Sequence, residues 1–388
     1  FPGDGPPLPE GTVTIDGERI VAVERHGSRR ADIDFNNAAI LPGFVNAHTH
    51  LDLGGLRGKV PPTRDFTTWL RAVIAHRRGV SQEETHAAIR TGLEESIRYG
   101  TTLLGDISAG GASWRCLSEA PIRAVVFYEM LGLTKERAAQ SCREATGWLI
   151  DHQDTTTCRR GLSPHAPYSV RAPLFFTSFF ATVPSAVHLA ETRDELMLLW
   201  DRQGPFVPFL RELGVWAPDG LADGPDDVLR LCSGLAPALF VHANYLKPDA
   251  PIPGNGSIVY CPRTHAAFGH APHPFREFLA RGIRVALGTD SLASNPDLDV
   301  LAEVRFLHRL HPDVPGDVLL PLATLSGAEA LGWADETGSL APGKSADLVV
   351  LPLPERDSPD PFRLVLDSET RVRRVMCRGQ WISEVSNT

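Results

Sequence analysis

Between Gly43 and Asp290 the chain alternates short apolar, β-branched runs with longer amphipathic stretches, eight times over. Such alternation marks strands joined by crossover helices, because the apolar spacing switches from strand-like to helical and back. The runs are Gly43 to Ala47, Thr101 to Asp106, Ile122 to Met130, Arg160 to Pro164, Ser185 to Ala190, Leu239 to Ala243, Ser257 to Cys261 and Arg284 to Asp290. Helix-like segments separate them, among them Gln82 to Tyr99, with Ser81 as its N-terminal cap, and Thr192 to Trp200. Eight such units predict an α/β chain closed into a (β/α)8 TIM barrel.

Two flanking pieces do not read as barrel. Thr12 to Val23, with Asp16-Gly17 at its centre, has the pattern of a β-hairpin, and Ala346 to Leu353 with Arg371 to Ile382 adds further short strands. Isolated hairpins are marginal in water, so the two ends of the chain are expected to share one small β-structure. The expected division is 1–40 with 341–388 for that domain and 41–340 for the barrel. The stretch Gly204 to Asp227, long and rich in Pro, Gly and Asp, is expected to contribute a cap over a pocket. The chain opens on Phe1, so residues ahead of it are expected.

At 388 residues and 43% hydrophobic content, the chain can bury a sizeable core. No apolar run approaches ~18 residues, and Phe1 to Gly11 lacks the basic and apolar regions of a signal peptide, so a cytoplasmic location is expected. A formal charge of −9 argues against nucleic-acid and anionic-membrane partners, which reward clustered Lys and Arg. Only four of the 38 basic residues are Lys, a skew that suits a GC-rich genome better than a binding surface. The six cysteines include no Cys-x-x-Cys pair and are expected to be reduced and mostly buried. The expected partner is a small molecule, with a homodimer as the commonest assembly of soluble enzymes.

Metal-type residues gather where the runs end. Leu41-Pro-Gly-Phe-Val-Asn-Ala-His-Thr-His50 finishes an apolar strand with His48 and His50, and residues two apart in an extended chain face the same side. His188 closes Ser185-Ala-Val-His, His242 sits in Leu239-Phe-Val-His-Ala, and Asp290 ends Val285-Ala-Leu-Gly-Thr-Asp. A barrel brings such ends together at its C-terminal mouth although they lie far apart in sequence. Histidines serving only structure would scatter over helix faces and loops, as His76, His86 and His308 are expected to do. The joint reading is a metal site.

In these segments the chain resembles the amidohydrolase superfamily over nearly its whole length. The shared pieces are Pro-Gly-Phe-Val-Asn-Ala-His-Thr-His, His-Leu-Ala-Glu, Val-His-Ala, Gly-Thr-Asp-Ser and Gly-Ser-Leu-Ala-Pro-Gly-Lys-Ser-Ala-Asp-Leu-Val-Val. The resemblance implies a small β-sandwich built from both termini. It also implies one divalent ion held by His48, His50, His188 and Asp290. Binuclear members carry a bridging carboxylated Lys or a Glu, typically on the fourth strand, and here that strand reads Arg159-Arg-Gly-Leu-Ser-Pro-His-Ala. Zinc suits the mix of nitrogen and oxygen donors, and iron(II) or manganese suits similar sites.

By the same resemblance, Asp290 takes the proton of an attacking water, Glu191 carries a proton to the ring nitrogen of the substrate, and His242 steadies charge developing in the transition state. Pairing His-x-x-Glu with one metal resembles the deaminase branch. Ser163-Pro-His-Ala-Pro-Tyr-Ser169 is similar to the fourth-strand motif of the adenosylhomocysteine and methylthioadenosine deaminases, which makes His165 a candidate substrate-binding residue. His265, in Cys261-Pro-Arg-Thr-His265, is a further candidate, as are Trp69 and Glu129, although aromatics on helices and acids ending strands often serve packing or capping. Tyr128-Glu129, the Cys-Pro-Arg-Thr-His motif and the long segment after Glu191 most resemble 6-aminodeoxyfutalosine deaminases, which act in menaquinone biosynthesis. Adenosine-type nucleosides and guanine remain open as substrates. So do a triazine or cyclic-amide hydrolase and a non-catalytic scaffold, the last disfavoured because no ligand is missing.

Overall fold

A computed structural model describes residues 1–25, 30–176, 182–234 and 236–384. A hairpin, β1 (Gly11–Asp16) and β2 (Arg19–Arg25), and a short strand, β3 (Ala38–Pro42), precede eight parallel strands hydrogen-bonded in sequence order. These are β4 (Phe44–Thr49), β5 (Thr101–Ser108), β6 (Arg123–Met130), β7 (Cys158–Pro164), β8 (Ser185–Leu189), β9 (Ala238–His242), β10 (Gly256–Tyr260) and β11 (Val285–Leu287). Outside them lie α1 (Phe66–Gly79), α2 (Gln82–Arg98), α3 (Trp114–Ser118), α4 (Lys135–Asp151), α5 (Arg193–Asp201), α6 (Phe206–Glu212), α7 (Pro225–Leu231), α8 (Pro262–Phe268), α9 (Phe275–Ala280) and α10 (Val300–Leu310). The fold is the expected TIM barrel.

Local chemistry sets the helix starts. Ser81 accepts from the Glu84 N–H at 3.2 Å while Glu84 reaches back to the Ser81 N–H at 2.8 Å, a reciprocal cap that opens α2 where the sequence indicated. Thr192 caps α5 through the Glu195 N–H at 3.1 Å. His76, His86 and His308 lie on α1, α2 and α10, away from the strand ends.

The barrel interior is packed solid. Val45, Leu103, Val125, Phe127, Leu239 and Val241 are fully buried in one cluster, each worth roughly 1.5–3 kcal/mol of transfer free energy. The ring closes between β4 and the segment after β11. Asn46 donates to Thr289 Oγ1 at 2.8 Å and accepts from the Thr289 N–H at 3.0 Å, while the Asp290 N–H donates to the His48 carbonyl at 3.0 Å. Thr49 and Asp290 form an isolated parallel bridge across this seam.

The eighth run is the one that departs most from its expected extent. Arg284 to Asp290 read as one strand, but β11 ends at Leu287. Gly288 lies so close to β4 that a Cβ there would sit 2.8 Å from the His48 Cβ, and Asp290 takes a left-handed φ of 60°. Both features turn the chain out of the ladder and deliver the Asp290 side chain to the mouth.

At the other end of the chain, β12 (Leu348–Pro352), β13 (Arg374–Cys377) and β14 (Gln380–Glu384) join β3 in a four-stranded antiparallel sheet. The β1–β2 hairpin is a separate two-stranded sheet, tied to the C-terminal segment by the Ile20 N–H on the Lys344 carbonyl at 2.9 Å. Ile20, Leu348, Val350 and Met376 pack between the two, with Val13, Ile15 and Trp381 at the margin. The N-terminal partner in the larger sheet is therefore β3, while the hairpin supplies the opposing layer. All six cysteines are free, four of them buried. Among the described residues, no helix is long and apolar enough to cross a membrane.

Candidate active site

His48, His50, His188, His242 and Asp290 meet at the C-terminal mouth, and all five are at least nine-tenths buried. His48, the penultimate residue of β4, has its ring centroid 4.9 Å from that of His50 and 4.9 Å from that of His188. The Nε2 atoms of His50 and His188 stand 3.1 Å apart, and Asp290 Oδ1 lies 3.5 Å from His48 Nε2 and 3.8 Å from His50 Nε2. Four donors bound to one ion at 2.0–2.1 Å in a tetrahedron would be separated by about 3.3–3.4 Å, so these spacings fit a single divalent ion.

The protonation chemistry fits as well. His188 donates its Nδ1–H to the His165 carbonyl at 2.9 Å, which leaves Nε2 as the lone-pair nitrogen facing the cluster. His48 Nδ1 and Nε2 and His50 Nδ1 are buried with no hydrogen-bond partner among the described residues. Burial above all holds His50, His188 and His242 well below the usual imidazole range, so the rings are neutral, as ligands must be. Asp290 ionises more readily than an ordinary Asp although burial opposes it, because the adjoining His48 and His242 imidazoles and the Ser294 hydroxyl outweigh that penalty. Ser294 donates to Asp290 Oδ2 at 2.9 Å and so leaves Oδ1 to face the histidines.

Backbone strain accompanies the cluster. Ala190, His242, Ala243 and Asp290 all have left-handed φ values, between 51° and 68°, at or just past the ends of β8, β9 and β11. Non-glycine residues rarely adopt this region, and its cost is carried here by dense surrounding hydrogen bonds. One of them is His273 Nε2 donating to the His242 carbonyl at 2.8 Å.

Glu191 follows β8 and is buried, its Oε1 3.4 Å from His242 Nε2. Burial, with Asp290 and Glu195 adding to it, raises its carboxyl well above the usual range and so favours the protonated acid. A buried acid beside an ionised Asp290 is the divergent pair expected of proton transfer.

A cavity of about 290 Å³ opens from this cluster. His50, His188, Glu191, His242 and Asp290 line its inner end; Phe66, Trp69, Leu70, Val73, Phe209, Leu210, Leu213 and Val215 line the outer. The outer wall comes from α1 and from α6 with the turn after it, inside the segment expected to cap a pocket. Trp69 is on the wall, packed against Phe66 and Phe268 with its Nε1–H buried and unpartnered among the described residues.

His165 and Glu129 are also on the wall and act as a pair. His165 Nδ1 donates to Glu129 Oε1 at 2.8 Å, and the Tyr168 hydroxyl lies 3.1 Å from His165 Nε2. Arg77 donates to Glu129 Oε2 at 2.8 Å and to Asp52 at 3.1 Å. Burial opposes ionisation of Glu129, but the Arg77 charge and the His165 hydrogen bond hold its carboxyl well below the usual range. His265 is not brought to this wall. It lies inside α8, donates Nε2–H to the Ala271 carbonyl at 2.8 Å and packs on Tyr260. The rest of its motif is structural: Arg263 pairs with Glu303 at 2.6 Å and Asp297 at 2.7 Å, and Thr264 meets Ser294 at 3.1 Å.

Several residues at the site carried no usable sequence signal. Arg77 is one arginine of a helix, and Ser294 one serine of a loop. Tyr168 stood inside the Ser163 to Ser169 motif, and Glu195 completes the cap pattern Thr192-Arg-Asp-Glu, which could have marked both.

The chain matches the amidohydrolase family over residues 39–199 and 222–382. It is 28% identical over 373 residues to the 5-methylthioadenosine/S-adenosylhomocysteine deaminase of Pyrococcus abyssi, covering 89% of this chain and 82% of the relative. It is likewise 28% identical over 363 residues to the aminodeoxyfutalosine deaminase of a Nitratiruptor species, covering 89% and 87%. The solved structure of Helicobacter pylori aminofutalosine deaminase with methylthio-coformycin superposes with a TM-score of 0.83 at 25% identity, covering 96% of this chain and 94% of that one. With the family matched across both its barrel and its terminal strands, the chain belongs to the amidohydrolase family and is a hydrolytic enzyme.

Proposed function

We propose that this protein is a metal-dependent deaminase of adenosine-type nucleosides, with 6-aminodeoxyfutalosine as its substrate. The observation that carries the reading is the meeting of clustered metal-type donors with the buried Glu191, 3.4 Å from His242, at the inner end of one cavity. The likeness to nucleoside deaminases supports the substrate class.

His48, His50, His188 and Asp290 would hold one divalent ion, zinc by donor preference. Such an ion supplies Lewis-acid activation of a water, whose pKa it can lower to about 7. Asp290 would accept the proton of the attacking water and pass it to the departing amino group. Glu191 would deliver its proton to the ring nitrogen as the C–O bond forms, and take one back from the new hydroxyl as the C–N bond to the departing ammonia breaks. His242, neutral and fixed by its strained backbone, stabilises the developing charge. His165, held by Glu129, and the indole N–H of Trp69 orient the nucleoside. At the rim, Arg78 and Arg137 make no side-chain pairing among the described residues, which suits a substrate with an acidic distal substituent.

The test is a side-by-side comparison of 6-aminodeoxyfutalosine, adenosine, methylthioadenosine, adenosylhomocysteine and guanine by kcat/KM. If 6-aminodeoxyfutalosine is not among the best, the narrow assignment fails. Elemental analysis addresses the broader claim: protein that binds no metal and gains no activity with zinc, iron or manganese would sink it.

A further inference from the structure

The pattern Ser/Thr-x-x-Glu occurs at the start of two helices, and the two glutamates do different things. Glu84 is exposed and returns to the backbone N–H of its own cap, Ser81. Glu195 is fully buried, and its carboxylate reaches past the cap Thr192 to the two residues before it. Oε1 accepts from the Ala190 N–H at 2.9 Å and Oε2 from the Glu191 N–H at 3.0 Å. The left-handed φ of 51° at Ala190 belongs to the kind of turn that aims successive N–H groups at one anion.

The remaining polar groups of this dipeptide are tied as well. The Ala190 carbonyl accepts from the Tyr245 N–H at 3.0 Å, and the Glu191 carbonyl from Asn244 Nδ2 at 3.0 Å. The peptide frame that aims the Glu191 carboxyl is thus fixed on every side. Helix capping alone does not require a carboxylate to be buried completely, since Glu84 does that work in water.

We propose that Glu195 is a positioning residue for proton transfer, its carboxylate clamping the Ala190 and Glu191 amides so that Glu191 is held facing His242 and the metal donors. The proposal rests on the role assigned above to Glu191.

Glu195→Gln in the metal-loaded enzyme is the direct test, because the amide keeps the shape but turns an NH2 group toward one of the two N–H donors. The expected result is unchanged metal content, KM within about twofold, and kcat lower by about 10- to 100-fold, the scale of a misplaced catalytic group. Hydrogen exchange at the Ala190 and Glu191 amides should quicken. Thr192→Ala, which removes the cap bond and leaves the clamp, should lower Tm and leave kcat unchanged. If Glu195→Gln does not fold, Glu195→Asp, which keeps the charge and shortens the reach, is expected to show the same kcat loss.

Unchanged amide exchange would overturn the clamp. Faster exchange with full kcat, or a rise in KM with kcat intact, would overturn the positioning role. Glu191→Gln belongs in the same series. Full turnover there would refute the reading of Glu191 itself, whereas the exchange measurement still decides whether Glu195 holds the segment.

Discussion

The two ends of the cavity are built on opposite plans. The inner end is made of strand termini with neutral buried imidazoles and left-handed backbone at Ala190, His242, Ala243 and Asp290. The outer end is made of helix faces, with Phe66, Trp69, Val73, Phe209 and Leu210 presenting ordinary apolar side chains. The inner end is held by buried, tightly spaced side chains on strand termini and has little freedom. The outer end rests on shape and apolar contact, which tolerates exchange far better. On the proposed reading, reaction type belongs to the strand ends, and substrate preference is shared between the helices and the His165–Glu129 pair.

Mutations at the two ends should separate accordingly. His188→Ala should release the ion and lower kcat/KM by more than about 10⁴-fold, above the range of a single lost proton-transfer group. Metal content and turnover measured together check this, and a metal-free variant with substantial activity would break the comparison at its strongest point. Glu191→Gln should keep the ion yet lose about 10²- to 10⁴-fold in kcat.

A third prediction concerns stability beneath the inner end. Asp106 is buried behind the His48-Thr-His50 segment and accepts from the Leu51 N–H at 2.9 Å and the Thr49 hydroxyl at 3.1 Å. Burial pushes its carboxyl from 3.8 up to about 7. The folded chain then keeps a proton that the unfolded chain has released, so this contribution is complete at low pH and is lost as pH rises toward 7, by about 1.4 kcal/mol per unit. Asp106→Asn should flatten that part of the stability curve in urea titrations between pH 4.5 and 7.5. Parallel curves for the two proteins would remove Asp106 as its source.

Smaller effects belong to the outer end. Trp69→Ala should raise KM about tenfold across the substrate panel with little change in kcat, the mark of lost uniform binding. A large kcat loss instead would mean that the outer wall takes part in chemistry. Arg137→Ala should matter least, raising KM up to about fivefold, as befits an exposed charge contact. That effect is expected for 6-aminodeoxyfutalosine and adenosylhomocysteine, which carry a carboxylate, and absent for adenosine. Equal losses on charged and uncharged substrates would assign Arg137 to folding rather than recognition.

The same division explains what the sequence could say. The barrel and its inner cluster were legible because strand period, strand end and residue type all point to His48, His50, His188, His242 and Asp290. The outer wall was legible only in part: Trp69 and the Gly204 to Asp227 segment were marked, but Phe66 or Phe209 on a helix looks the same whether it faces a ligand or a core. Glu129 and His165 were visible singly, but Arg77, 52 residues before Glu129, has no local feature that ties it to them. His265 shows the opposite failure: its motif drew attention, yet the turn of α8 aims the ring at the Ala271 carbonyl. The last strand was overextended because nothing in Val285-Ala-Leu-Gly-Thr-Asp reveals how closely Gly288 must approach His48.

The closure of the barrel at Asn46, His48 and Asp290 has a consequence for the life of the protein in a cell. Two of the residues that stitch β4 to the segment after β11, His48 and Asp290, also belong to the metal cluster, so an ion bound there would act as a latch on the ring. At a free metal concentration 1,000 times its Kd, that latch would add about 4 kcal/mol to stability. Chain deprived of metal would come undone first along this line, exposing β4 and β11 to proteases. Metal supply would then govern how much of the enzyme survives as well as how much of it is active.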